Sequence, residues 1–270
     1  MQQMKETKYG IIYAPTVNVG DDIQTLAGIN FLKSKGIHKY EFVNRESLND
    51  YDGDEINLVM NGWFMYDFDK FPPSKKIKPI WISFHVWFGE LITKHKEYFK
   101  TQPPIGCRDQ ATVELFKQHG IDAYFTGCLT LAFDKHTEKG DKKYLVDINT
   151  ECNYIPDFDM DMKQFGDFKI VEHDTFKKGY SDIEKRMQLA NEFIDNYKKA
   201  SLVVTSRLHC ALPCRAFGTD CIFMHKGYES DPRFRGLEGV LNGATEYHKN
   251  TSPSEGELEK IQKFFKSYEI

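Results

Sequence analysis

Arginine and histidine at the ends of apolar runs are the residues of this chain best suited to chemistry. Leu202-Val203-Val204-Thr205 hands over abruptly to Ser206-Arg207-Leu208-His209, and Pro213 and Gly218 follow. A guanidinium makes planar, two-pronged contacts to carboxylate or phosphate, and a histidine titrating near neutrality can move a proton. If the turn is tight, Arg207 and His209 face one way while Leu208 packs inward. An arginine paired with an aspartate and a histidine satisfied in the core would leave the same letters, so local sequence keeps both readings open.

Three further segments have the same character. In Gly106-Cys107-Arg108-Asp109, Arg108 can fork onto an anion and Asp109 can cap a helix. In Asn18-Val19-Gly20-Asp21-Asp22, Gly20 permits a tight turn and Asp21 or Asp22 can cap, which leaves free amides for an anion or a sugar hydroxyl. In Asn61-Gly62-Trp63, Gly62 lets backbone approach a ligand and Trp63 can stack on a sugar face or fill a core. His85 closes the run at 80–84 and is a further candidate. Trp81, Phe84 and Trp87 are either platform or core. Lys226, Arg233 and Arg235 follow the last apolar run and can add positive potential around a phosphate, with surface solvation the more ordinary reading. Cys210 and Cys214 lie four apart beside His209, a spacing no standard zinc site uses, so no metal is expected. Neither G-x-G-x-x-G nor a Walker A loop occurs, which argues against a dinucleotide or nucleoside triphosphate site.

These segments need elements to hold them. Short β-branched and aromatic runs at 9–13, 40–43, 56–60, 80–84, 105–107 and 124–126 alternate with helical patterns at 21–35, 89–100 and 109–119, stopped by Gly36 and Gly120. A highly charged stretch at 134–143 reads as a linker. The pattern then restarts, with strands at 144–148, 168–171, 202–205 and 221–224 and helices at 181–199 and 255–268. Two blocks of alternating strands and helices predict an α/β protein with two parallel-sheet domains, 1–135 and 136–270, the last helix able to pack back on the first domain. Ligands of such sheets sit beyond the carboxyl ends of the strands, here in the cleft between domains.

Composition fits this picture. The 270 residues are 40% hydrophobic and 28% charged, with net charge −4. That is enough apolar chain for a sizeable core, and nothing in the balance suggests a chain built to coat nucleic acid, which usually needs a basic face; a local basic pocket stays open. The polar start has no apolar leader, and no run is long enough to span a bilayer, so a cytoplasmic chain with six reduced cysteines is expected.

In order, Asn18-x-Gly20-Asp21, Cys107-Arg108-Asp109 and Ser206-Arg207-Leu208-His209 with Gly218 resemble the pattern of the polysaccharide pyruvyl transferase family over about residues 9–241. Where many members carry a glycine run after the third strand, this chain has Asn61-Gly62-Trp63. The resemblance implies two Rossmann-like domains facing across a GT-B-like cleft. It also implies transfer of pyruvate from phosphoenolpyruvate (PEP), as co-substrate and without a cofactor, onto two sugar hydroxyls of a capsule, wall or exopolysaccharide precursor. The family's PEP-binding positions correspond to Arg108, Arg207, Leu208 and His209. His209 then becomes the general acid and Asp21 the base, with Asn18, Gly20, Asn61, Trp63 and His85 on the acceptor side. The partners implied are PEP and a saccharide, often lipid-linked, at the inner membrane face, and domain closure would complete the clamp. The competing readings are a GT-B glycosyltransferase using a nucleotide sugar, and a non-catalytic sugar- or PEP-binding protein of the same fold. The first would bind a nucleoside diphosphate in the C-terminal lobe. The presence of both Arg207 and His209 weighs against the second.

Overall fold

The computed structural model describes residues 7–148, 154–155, 160–161, 163, 166–176, 180–228, 230–241 and 255–270. The N-terminal half contains β1 (Tyr9–Tyr13), α1 (Val19–Ser34), β2 (Glu41–Asn44), β3 (Ile56–Val59), β4 (Gly62–Phe64), β5 (Ile77–Ile80) and β6 (Phe84–Val86). It continues with α2 (Glu90–Lys94), α3 (Lys96–Lys100), β7 (Ile105–Cys107), α4 (Gln110–Gln118) and β8 (Ala123–Phe125). Two parallel sheets result, ordered β2-β1-β3-β5 and β4-β6-β7-β8. Because β3 runs on into β4 and β5 into β6, they form one layer with a seam. Met60 N–H donates to Ile80 O and Gly62 N–H to Ser83 O across that seam.

The seam corrects two expectations. Residues 80–84 are not one strand. The chain breaks at Ser83, held at φ 54° while its N–H donates to Thr126 Oγ1 and its hydroxyl to Gly127 O. His85 therefore sits inside β6 rather than beyond a strand. Gly62 and Trp63 likewise lie in β4, entered through Gly62 at φ 114°. The helix expected at 89–100 is also interrupted, at His95, where φ and ψ leave the helical region.

The C-terminal half contains β9 (Lys143–Val146), the antiparallel pair β10 (Tyr154–Ile155) and β11 (Met160–Asp161), then β12 (Lys169–Val171), α5 (Ile183–Lys199), β13 (Leu202–Thr205), α6 (Leu208–Phe217), β14 (Cys221–Phe223), α7 (Glu238–Leu241) and α8 (Glu255–Ser267). Its parallel sheet runs β12-β9-β13-β14. Counted by position, both sheets begin second-first-third-fourth. In doubly wound sheets of this order the ligand crevice opens between the first and third strands. The loops after β1 and β3 and those after β9 and β13 thus mark two switch points.

Caps set where the loops release their side chains. Asn18, not Asp21 or Asp22, caps α1, its Oδ1 accepting from Gly20 N–H at 2.7 Å. The two aspartates instead fill the first turn, where negative charge suits the helix dipole. Asp109 caps α4 as expected, through Thr112 N–H at 2.9 Å. α6 begins at Leu208, kinks at His209 upstream of Pro213, and closes on Gly218 in the left-handed region.

One core joins the halves. Ile23, Ala27 and Phe31 of α1 share a buried cluster with Ala190, Phe193 and Ile194 of α5 and with Ile261 and Phe265 of α8. A second cluster, rich in aromatic rings such as Trp81, Phe84 and Phe99, fills the N-terminal half. Within the shared region, Arg186 forks onto Asp22 through two 2.8 Å hydrogen bonds and donates to Thr16 O and Tyr180 O. Elsewhere Arg235 forks onto Glu114 at 2.8 and 2.6 Å, and Gln110 N–H donates to Arg235 O. Five cysteines are buried and free; Cys152 lies outside the described residues.

Candidate active site

A cavity of about 520 Å³ opens between the carboxyl ends of the two sheets. Asn18, Gly20, Asp21, Trp63, His85, Arg108, Arg207, Leu208 and His209 all line it. Asn61 does not. It is buried, and its Nδ2 donates to Gln24 O at 2.8 Å, tying the end of β3 to α1. Trp87 is on the cavity wall, whereas Trp81 and Phe84 are buried in the N-terminal core. Arg108 and Arg207 line one cavity between halves that share a core.

The two arginines are held differently. Arg108 follows β7 and is 2% exposed, yet among the described residues its Nε and Nη2 have no hydrogen-bond partner. Its nearest anion is Asp109 Oδ2, 3.5 Å from Nε. Buried guanidinium N–H groups without acceptors are costly, and oxygens of an anionic ligand would answer them. Arg207 is half-buried. Its Nε donates to Asp147 Oδ2 at 2.6 Å, and its Nη2 lies 3.2 Å from Asp174 Oδ2. Asp147 stands just past β9 at φ 51° and also accepts the His173 N–H.

A third arginine joins them. Of the two readings open for Arg233, the surface one gives way: it lines the cavity with its guanidinium 5.0 Å from the Trp87 ring. Asp231 fixes it through Nε at 3.0 Å and Nη2 at 2.5 Å. Arg235 instead makes the Glu114 bridge, and Lys226 is exposed.

Three histidines on the cavity wall have a ring nitrogen without a hydrogen-bond partner among the described residues: Nε2 of His85, Nδ1 of His173 and Nε2 of His209. Burial is the main force on all three, and it disfavours the charged ring. With the Arg108 and Arg233 charges it pulls His209 well below the ordinary histidine range. With Arg207 it pulls His173 to about 3, and with Arg108 it pulls His85 to about 4. The protein's own groups therefore hold His209 neutral, and an acid role for it requires added negative charge. His173 Nε2 is 2.6 Å from Tyr197 Oη. Gly20 makes room for this ring, since a Cβ there would sit 3.4 Å from His173 Nδ1 and 2.8 Å from Asn18 Oδ1.

The outer wall is aromatic. Trp63 packs edge-on against Tyr66, and Tyr66 and Phe88 are exposed. Beneath Trp63, at 5.2 Å, lies the buried Arg45. Asp21 lines the cavity with its carboxylate already shared: Oδ2 accepts from Thr16 at 2.6 Å, and Oδ1 from Gln24 at 3.2 Å and Arg45 at 3.4 Å.

The family model for polysaccharide pyruvyl transferase matches residues 18–224, most of the chain. The chain belongs to the polysaccharide pyruvyl transferase family. It is thus a transferase with a pyruvyltransferase role in polysaccharide biosynthesis, acting on a saccharide acceptor. No curated protein matches the sequence. Among solved structures it resembles an uncharacterised Klebsiella pneumoniae protein, KP1_0663, at TM-score 0.51 and 15% identity, over 84% of this chain and 87% of that one. That likeness concerns the fold.

Asp147 and His173 line the cavity without having been singled out in the sequence. Asp147 follows β9 and His173 follows β12, so both stand just past strands, where the other candidates were sought. Arg233 was weighed for a place near phosphate, but it lies in the loop after the Asp231 cap, where no strand end favoured it over a surface role.

Proposed function

We propose that this transferase moves pyruvate from PEP onto two hydroxyls of one saccharide, closing a cyclic ketal and releasing phosphate. The observation that carries this is the buried guanidinium of Arg108, with no hydrogen-bond partner at Nε or Nη2 among the described residues, sharing one cavity with Arg207 and His209. PEP places a carboxylate and a phosphate on one small frame, which suits a pair of arginines from opposite walls. Leu208 supplies apolar packing beside them. The bound anion raises the proton affinity of His209, which then protonates the PEP methylene to a methyl group and leaves C2 electrophilic. One hydroxyl adds to C2; the second displaces phosphate. These steps need only proton transfer and addition–elimination at one carbon, so PEP serves as co-substrate and we assign no cofactor.

The aromatic wall of Trp63, Tyr66 and Phe88 suits a sugar face, with Asn18 and Gly20 at its inner edge. In this reading residues 1–135 bring Arg108 and the acceptor wall, and residues 136–270 bring the Arg-Leu-His motif. No helix among the described residues is long and apolar enough to cross a membrane. We place the work at the cytoplasmic membrane face, on a lipid-linked precursor. Calorimetry with PEP and with uridine diphosphate tests the donor. PEP binding with no diphosphate binding is expected, and the reverse would make this a nucleotide-sugar enzyme. PEP binding without saccharide-dependent phosphate release would make it a binding protein.

A further inference from the structure

The cavity holds a second proton-handling group, set between the donor clamp and the sugar wall. β4, β6 and β7 are adjacent parallel strands, and Trp63 is the register partner of His85. Phe84 pairs with Cys107, so His85 is level with Arg108, and Arg108 N–H donates to Phe84 O at 2.9 Å. Residues in register on parallel strands share a sheet face, spaced about 4.8 Å apart. Trp63, His85 and Arg108 thus form a row across three strands, with the aromatic ring at one end and the anion-seeking guanidinium at the other.

The imidazole in the middle of this row is oriented from behind. His85 Nδ1 hydrogen-bonds the Thr112 hydroxyl at 3.0 Å and lies at ion-pair distance, 2.7 Å, from Asp109 Oδ2, an oxygen with no hydrogen-bond partner among the described residues. That hydroxyl donates to Asp109 Oδ1, so it is an acceptor toward Nδ1. Burial works against a charge on Asp109, but His85, Arg108 and the Thr112 N–H outweigh it and hold the carboxyl below its ordinary range. Both neighbours of Nδ1 are acceptors, which places the ring proton on Nδ1 and a lone pair on Nε2. Nε2 is buried and has no hydrogen-bond partner, and the residue lines the cavity.

We propose that His85 is the general base that receives the proton of the attacking saccharide hydroxyl, with Asp109 as its positioning residue. This rests on the PEP reading above. Asp21 is less suited, because Thr16, Gln24 and Arg45 already occupy its oxygens. His173 is less suited too, because it is outside the row and its Nδ1 lies beside Gly20 and Asn18, while its Nε2 is engaged by Tyr197 Oη.

The protons balance. His209 gives its proton to C3 of PEP. As the first hydroxyl oxygen bonds C2, its proton passes to His85 Nε2. The second hydroxyl then bonds C2 while the C2–O bond to phosphate breaks. His209 takes that hydroxyl's proton and His85 gives its own to the departing phosphate, so both rings return to their starting state. Of the two hydroxyl protons, one is thus replaced on the acid that made the methyl group, and one leaves as hydrogen phosphate.

The first measurement needs no ligand. Two-bond proton–nitrogen correlation NMR on ¹⁵N-histidine protein, with His85→Gln for assignment, reads the ring's tautomer. At pH 7 the expected state is neutral with the proton on Nδ1, and Asp109→Asn, which keeps the cap acceptor for Thr112, should shift it toward Nε2. A wild-type ring protonated on Nε2, or on both nitrogens, overturns the assignment. The second measurement compares PEP binding by calorimetry with saccharide-dependent phosphate release. His85→Gln should keep PEP affinity and lose turnover roughly 10²–10⁴-fold. Near-normal turnover, or equal loss of PEP affinity, overturns the base role. Failure of the wild type to bind PEP would instead sink the donor reading and leave the tautomer result standing.

Discussion

Arg186 and Arg108 are both buried arginines, yet they serve opposite ends. Arg186 has its N–H groups answered by Asp22, Thr16 and Tyr180, and it ties α1 to α5. Arg108 has Nε and Nη2 unanswered and faces a cavity. Saturation marks the first as a fastener. Deficit suits the second to the ligand role proposed for it, because a buried charge short of partners is tolerated where something else completes it. Arg207 falls between them, oriented by Asp147 and Asp174 and still open to the cavity.

The largest expected effect is on the fastener. Arg186→Met strands Asp22 in the core and should cost about 3–5 kcal/mol of stability in urea unfolding. Arg108→Met should do the reverse. It leaves the urea midpoint unchanged or higher and weakens PEP binding by about 1.5–3 kcal/mol in calorimetry. Equal destabilisation by the two variants would erase the distinction. A smaller effect follows from His209. Its proton affinity is depressed in the free protein and raised beside the bound anion, so PEP binding takes up a proton. Between those two values affinity falls as pH rises, by at most about tenfold, or ~1.4 kcal/mol, per pH unit. Working above pH 7, where the phosphate itself (pKa about 6) is ionised, calorimetry in buffers of different ionisation enthalpy counts the proton. A count of zero in the wild type, or an unchanged count in His209→Gln, would remove His209 from this role. The smallest effect is expected for Arg207→Met, about 1 kcal/mol in PEP affinity, because Arg207 must share its charge with Asp147. A loss as large as for Arg108→Met would show that the two carboxylates orient Arg207 rather than compete for it.

Arg108, Arg207 and His209 were legible in the sequence because each follows an apolar run that any parallel sheet would use as a strand, and strand ends are where such sheets bind ligands. The α/β architecture was legible for the same reason. The break at Ser83 was not, since a non-glycine residue at positive φ is imposed by distant partners, here Thr126 and Gly127. That one residue moved His85 from a loop into the row with Trp63 and Arg108. The capping of α1 by Asn18 was missed because three polar residues competed for the place, and only the backbone path decides among them.

The stripe of Ile23, Ala27 and Phe31 on α1 belongs to a buried cluster that takes in α5 and α8 of the other half. A chain cut in the irregular stretch at 134–142 would leave an N-terminal piece with this stripe bare and a C-terminal piece with the matching groove open. Co-expressed, the pieces should find each other through α1, and the halves of this cleft would behave as a complementing pair rather than as two independent folding units.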